Sequence, residues 1–170
     1  MIPTIATVTL GGDIKTKLKA ISKAGFHSIE LFDTDLDRFE GNSKELNNLI
    51  KDFGLSLASY FPLRNFEGMP EEKKESVFNE AKYYLDTANE LGSEMVMICS
   101  NTNQESLPNE IKITSDLNEL AEIAKNFELK LAYEPLAWGT HVNSYRHAMQ
   151  LINDADHENL GIALDAFHIL

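Results

Sequence analysis

The sequence predicts an α/β fold of repeated βα units, a (β/α)8 TIM barrel truncated to about six strands and five helices. Three observations predict it. Short apolar runs alternate with longer amphipathic ones along the 170 residues. Several short runs are almost wholly hydrophobic, Met95 to Cys99 most plainly, as strands buried on both faces are. Polar residues stand at the C-terminal ends of these runs: Glu30, Arg64, Ser100, Asn101, Glu134, Asp165 and His168. Barrel enzymes build their sites at that rim.

Each element has its own signal. Ile5–Leu10 reads as the first strand. Asp13–Ala24 is a helix with Ile14, Leu18 and Ile21 on one face, and Asp13 can cap it. Ser28–Phe32 is the second strand. Asn42–Phe53 follows as a helix, with Asn42 three residues before Glu45, close to a capping box. Leu55–Phe61 is the third strand. Pro70 opens a helix that buries Val77, Phe78, Ala81, Leu85, Ala88 and Leu91. Met95–Cys99 is a strand and Asp116–Asn126 a helix, with Leu117, Leu120, Ile123 and Ala124 at helical spacing. Lys130–Tyr133, the helix Ser144–Asn153 and the strand Leu160–Leu164 complete the order. Gly25, Gly54 and Gly92 each follow a helix and precede a strand, the place for a left-handed C′ residue, and Asn126 can serve likewise. Gly11-Gly12 does not make the G-x-G-x-x-G phosphate loop, which disfavours a doubly wound sheet and a nucleotide cofactor.

Composition narrows the function. The net charge is −12, so phosphate backbones and anionic membrane surfaces are repelled and no nucleic-acid or membrane partner is expected. One cysteine, Cys99, excludes an internal disulfide framework and a cysteine-based zinc site. The N-terminus lacks the basic and apolar regions of a signal peptide, and no run approaches about 18 apolar residues, so a cytoplasmic location is expected. Residues 1–170 read as a single, incomplete barrel domain, because such barrels take about 200 residues or more. An open sheet of six strands also has edges that invite homo-oligomerisation.

Glu134 and Asp165 are the sharpest pair. Each ends an apolar run, and two carboxylates on neighbouring strand ends can share a hard divalent cation. A rim salt bridge or a helix cap would use the same residues. His168, three residues after Asp165, can move protons near neutral pH or bond a backbone carbonyl. Arg64 can clamp a carboxylate or phosphate, or lie solvated. Ser100 and Asn101 can bond a substrate hydroxyl or make a turn. Trp138 and His141 can line the pocket. Cys99 reads as a small buried hydrophobe. His27, His147 and His157 read as surface or structural. No G-x-S-x-G elbow is present, so a serine triad is not expected.

The stretches IATVTLGG, KAGFHSIELF, PLRNFEGMP, ELGSEMVMICSN, AYEPLAWGTHVNSYRHA and LDAFHIL together resemble the bacterial 3-dehydroshikimate dehydratase domain. That domain belongs to the xylose-isomerase-like, or sugar phosphate isomerase/epimerase, superfamily and is in some proteins fused ahead of a 4-hydroxyphenylpyruvate dioxygenase-like domain. The resemblance implies a lyase that converts 3-dehydroshikimate to protocatechuate with a divalent metal, Mg²⁺, Mn²⁺ or Co²⁺. It carries Glu134 and Asp165 over as metal ligands, His168 as the group near the proton transfer, and Arg64 as the anchor of the substrate carboxylate. Asn101 and His141 join as substrate-binding candidates. The family has Gln-Pro-Phe-Arg-Asp where Phe61-Pro62-Leu63-Arg64-Asn65 stands, and Arg where Thr140 stands. Two further ligands come from later strands in the family, so this chain alone is expected to bind metal weakly or not at all. A sugar isomerase or epimerase on the same barrel is the alternative activity, and an inactive structural or interaction module is the alternative of another kind. The acidity disfavours the DNA-repair branch of the superfamily.

Overall fold

The computed structural model describes residues 2–169. Six strands form one sheet: β1 (Thr4–Ala6), β2 (Ser28–Phe32), β3 (Ser56–Leu63), β4 (Met95–Cys99), β5 (Lys130–Glu134) and β6 (Leu160–Ile162). All pairings are parallel, and each strand pairs with the next in chain order. A doubly wound sheet reverses order at a switch point. This sheet has no reversal, so it is the wall of a barrel, as the βα alternation predicts.

The described residues hold seven α-helices rather than five: α1 (Ile14–Lys23), α2 (Asp33–Asp37), α3 (Ser43–Asp52), α4 (Lys74–Glu90), α5 (Glu110–Lys125), α6 (Tyr145–Ala155) and α7 (Ala166–Ile169). The two extra ones are short. α2 has a single apolar residue, Leu36, and so no amphipathic period. α7 has four residues, about one turn. Consecutive helices α3 to α6 pack on one another, which puts them on one face of the sheet.

The core lies between that helical layer and the sheet. Ile29 and Leu31 of β2, Val96 and Ile98 of β4, and Leu131 and Tyr133 of β5 are buried against Leu18, Leu46, Leu85, Leu117 and Leu151. Burial of each such side chain contributes about 1.5–3 kcal/mol. The alternating residues Glu30, Met95, Met97 and Ala132 point to the other, inner face, where they are half-buried rather than covered. The strands are thus fully sealed on one face and half-buried on the other, which is apolar at Met95, Met97 and Ala132 and acidic at Glu30.

β3 runs on to Leu63 and β6 stops at Ile162, against expected ends at Phe61 and Leu164, and three further differences from the sequence reading have a local reason. The first strand is only Thr4–Ala6 and runs into a 3₁₀ turn at Thr7–Thr9. There the Thr9 hydroxyl donates to the Ala6 carbonyl (2.7 Å) and Thr7 Oγ1 accepts the Phe32 N–H (3.0 Å), so side chains replace the ladder. α5 starts at Glu110, not Asp116, because Asn109 caps it through the Lys112 N–H. Asp116 lies inside the helix and accepts the Gly68 N–H instead (2.9 Å). After α5, Asn126 stays right-handed and Glu128 takes the left-handed conformation, with φ 58°. The Asp13 cap, the Asn42–Glu45 capping box and left-handed glycines at 25, 54 and 92 are as expected. No described helix is long and apolar enough to cross a membrane.

Candidate active site and metal centre

The C-terminal ends of β5 and β6 bring three side chains together. Glu134 is the last residue of β5, paired in register with Cys99 of β4. Asp165 and His168 lie on the turn and short helix after β6. One ligand atom from each of Glu134, Asp165 and His168 lies within 4.8 Å of the others. Parallel strands end at one level, which is why residues distant in sequence meet here.

Each side chain is held by a specific contact. The Cys99 thiol lies 3.3 Å from Glu134 Oε2 and donates to it, so Cys99 does more than fill space. Asp165 Oδ1 accepts the Phe167 N–H (2.8 Å), which caps α7. His168 Nδ1 accepts the Ala137 N–H (3.2 Å). That contact places the hydrogen of the neutral ring on Nε2. The His168 ring meets Trp138 edge-on, centroids 4.8 Å apart, and Phe167 packs beside both.

The electrostatics are one-sided. Burial raises the Glu134 carboxyl above its ordinary range; the Cys99 thiol and His168 lower it in part, and Asp165 raises it further. Glu30 of β2 rises for the same first cause, then through the charges of Glu134 and Asp165. Among the described residues, no Lys, Arg or His forms an ion pair with Glu30, Glu134 or Asp165. Carboxylates gathered without a cation, beside an imidazole, form a donor set that fits a divalent ion.

The remaining candidates are placed differently. Arg64, just past β3, pairs with Asp33 and lies over the Phe32 ring, its carbon 5.5 Å from the centroid. It lines two cavities. One, about 270 Å³, opens at the rim between Cys99, Ser100, Leu136 and Trp138. The other, about 470 Å³, lies toward α4 beside Asp33, Lys73 and Tyr84. Asn101 is buried, and its side chain is used within the rim: Nδ2 donates to the Glu67 carbonyl (2.7 Å) and Oδ1 accepts the Asn103 N–H (2.8 Å). His141 Nε2 meets the Ser106 carbonyl at 2.8 Å. Both side chains brace loops at the rim through these contacts. His147 and His157 pair with Glu110 and Glu122 on the surface.

Sequence reasoning missed Glu67. Its side chain is 1% exposed, and burial pushes its carboxyl up to about 7. Oε1 accepts the Asn101 N–H (2.7 Å) and the Tyr133 hydroxyl (2.8 Å). The available signal is an acidic residue inside the apolar stretch Phe66 to Met69, all of it buried.

Known proteins share this arrangement of strands and the sequence around it. A family model described as the xylose isomerase-like TIM barrel matches residues 18–170. The 3-dehydroshikimate dehydratase of Pseudomonas putida is 38% identical over 166 residues, 98% of this chain and 26% of that protein. A solved xylose isomerase-like TIM barrel/4-hydroxyphenylpyruvate dioxygenase fusion protein superposes with a TM-score of 0.95 at 38% identity, covering 97% of this chain and 27% of that one. The IolI protein, solved with a zinc atom, shares the fold at 22% identity (TM-score 0.84, 99% of this chain, 64% of that one). The chain thus spans about a quarter of the length of the dehydratase it matches. On the match over residues 18–170 and the sequential parallel sheet, the chain belongs to the xylose isomerase-like TIM barrel family.

Proposed function

We propose that this chain forms the Glu134–Asp165 part of a metal-dependent lyase that dehydrates 3-dehydroshikimate to protocatechuate. The observation that carries the reading is the cluster of Glu134, Asp165 and His168 within 4.8 Å, whose carboxylates form no ion pair with a Lys or Arg among the described residues. The 38% identity to a dehydratase over 98% of the chain supports the substrate class.

The substrate is a carboxylic acid with a ketone, an acidic C–H beside it and a hydroxyl one carbon further. Dehydration removes that proton and the hydroxyl as water, and enolisation then gives the aromatic ring. Glu134 and Asp165 would hold the divalent cation through the oxygens not used by Cys99 and the Phe167 N–H. A bound divalent cation supplies Lewis acidity to the carbonyl oxygen. Arg64 binds the substrate carboxylate with the guanidinium edge that Asp33 leaves free. His168 stands beside the proton transfer and donates a hydrogen bond from Nε2–H to the leaving hydroxyl, while the Ala137 N–H keeps the ring oriented. Trp138 and Phe167 pack edge-on around the imidazole.

Manganese is the direct probe, because its paramagnetism broadens nearby amide signals even at weak affinity. Mn²⁺ is expected to broaden Glu134, Asp165 and His168 first, and Glu134→Gln is expected to remove the effect. Uniform broadening, or an unchanged response in the variant, overturns the metal assignment. In the full-length enzyme of which this chain forms part, protocatechuate formation, read by its ultraviolet absorbance, is expected to disappear in Asp165→Asn. A chain that binds Mn²⁺ but turns over only a sugar ketone would be an isomerase instead.

A further inference from the structure

Glu67 takes no part in the chemistry just proposed, yet it is the most deeply buried carboxyl in the rim. It joins three segments. Its own segment links β3 to α4. Through Oε1 it holds the backbone of Asn101, in the turn after β4, and the hydroxyl of Tyr133, in β5. Its backbone carbonyl takes the Asn101 side chain as well. The next residue, Gly68, is pinned by the buried Asp116 carboxylate, so the segment cannot drift.

The groups held in this way lead directly to the cluster. Tyr133 immediately precedes Glu134. Ser100, beside Asn101, donates its N–H to the Glu134 carbonyl (2.8 Å) and accepts the Leu136 N–H on its hydroxyl (2.9 Å). The start of the Glu134 turn therefore follows a residue that Glu67 holds, and its exit is fixed by Ser100, the chain neighbour of another. Core filling does not account for a carboxyl here. Its Oε2 is buried with no partner, and an apolar residue of that volume would avoid the desolvation cost.

We propose that Glu67 is a positioning residue: by holding the Asn101 backbone and the Tyr133 ring, it aims Glu134 into the barrel mouth. The inference rests on the metal-binding reading of Glu134. Supporting residues of this kind typically change metal affinity by about 10–100-fold.

The test uses the full chain as wild type, Glu67→Gln, Glu67→Leu and Tyr133→Phe. Glutamine keeps an acceptor oxygen, leucine keeps only bulk, and phenylalanine removes one hydrogen bond while keeping the ring. Two readouts are taken: amide hydrogen exchange, and the Mn²⁺ concentration that half-broadens Glu134. In Glu67→Leu, exchange at Ser100, Asn101 and Leu136 is expected to quicken while β2 stays protected, and the Mn²⁺ requirement is expected to rise about tenfold or more. In Glu67→Gln the requirement stays within about threefold of wild type; in Tyr133→Phe it rises by more than that. A wild-type Mn²⁺ response in both Glu67→Leu and Tyr133→Phe overturns the proposal. Where Glu67→Leu does not fold, Tyr133→Phe decides alone. Absence of Mn²⁺ broadening in the wild type sinks the metal reading rather than this one. Exchange then decides for Glu67: unchanged protection at Ser100 and Leu136 in Glu67→Leu, or in Tyr133→Phe if that variant alone folds, overturns it.

Discussion

Gly139 shows how one atom can decide the rim. A Cβ at this position would lie 2.2 Å from the Val142 carbonyl oxygen and 2.6 Å from Ser100 Oγ. The hydroxyl can rotate away, but the carbonyl belongs to the backbone and cannot. Gly139→Ala is therefore expected to destabilise the chain by about 1–3 kcal/mol, read as a lower urea midpoint, with faster exchange at Leu136, whose N–H rests on the same Ser100 hydroxyl. An unchanged midpoint and unchanged exchange would contradict this crowding. The need for glycine was invisible in the Trp138-Gly139-Thr140 stretch, because one clash partner is on another strand end. Cys99 carries the same lesson. Its apolar neighbours mark it as buried, but only the β4–β5 register sets its thiol against Glu134.

At the scale of elements, the short helix α2 depends on a tertiary ion pair. Lys17 of α1 and Asp35 of α2 are 7% and 5% exposed, and Lys17 Nζ reaches both Asp35 oxygens, at 2.7 and 2.9 Å. Local sequence does little for α2 beyond the Asp33 carboxylate accepting the Thr34 N–H. Removing one partner strands a buried charge. Asp35→Ala is expected to cost about 3–5 kcal/mol, and an apolar replacement of both residues to restore most of it. Chemical denaturation of the two variants measures this, and equal stability of Asp35→Ala and wild type would refute it. α1, α3 and α6 were legible because capping side chains and apolar faces lie within one segment. α2 was not, since its stabilising partner lies on another helix.

Across the whole molecule, buried acids set the response to pH. Glu67 has an ordinary value of 4.5 and is raised by burial to about 7 in the folded chain. The folded chain thus binds this proton more tightly than the unfolded chain does. The stability it contributes is full below about 4.5 and is lost as pH rises through about 7. Glu30, Glu134 and Asp116 shift the same way, with burial the largest cause in each. The urea midpoint is expected to fall between about pH 5 and pH 8, and to fall less in Glu67→Gln. A profile with equal slope in both forms would exclude Glu67 as a source. The net charge of −12 acts in the same direction, since self-repulsion grows as the carboxyls ionise.

The sequence by itself determined the alternation of strands and helices, most of their boundaries, and the carboxylates that end β5 and follow β6. Those features follow from periodicity, caps and residue type, which are local. Tertiary structure decided which of those residues meet. Sequential parallel pairing brings Glu134 to Asp165 and His168 and turns Glu30 toward them. It commits Asn101 and His141 to the loops and buries Glu67 behind the rim. The physical reason is that a hydrogen-bond partner and a desolvated charge are defined by distance in space, and strand register, not sequence separation, sets that distance.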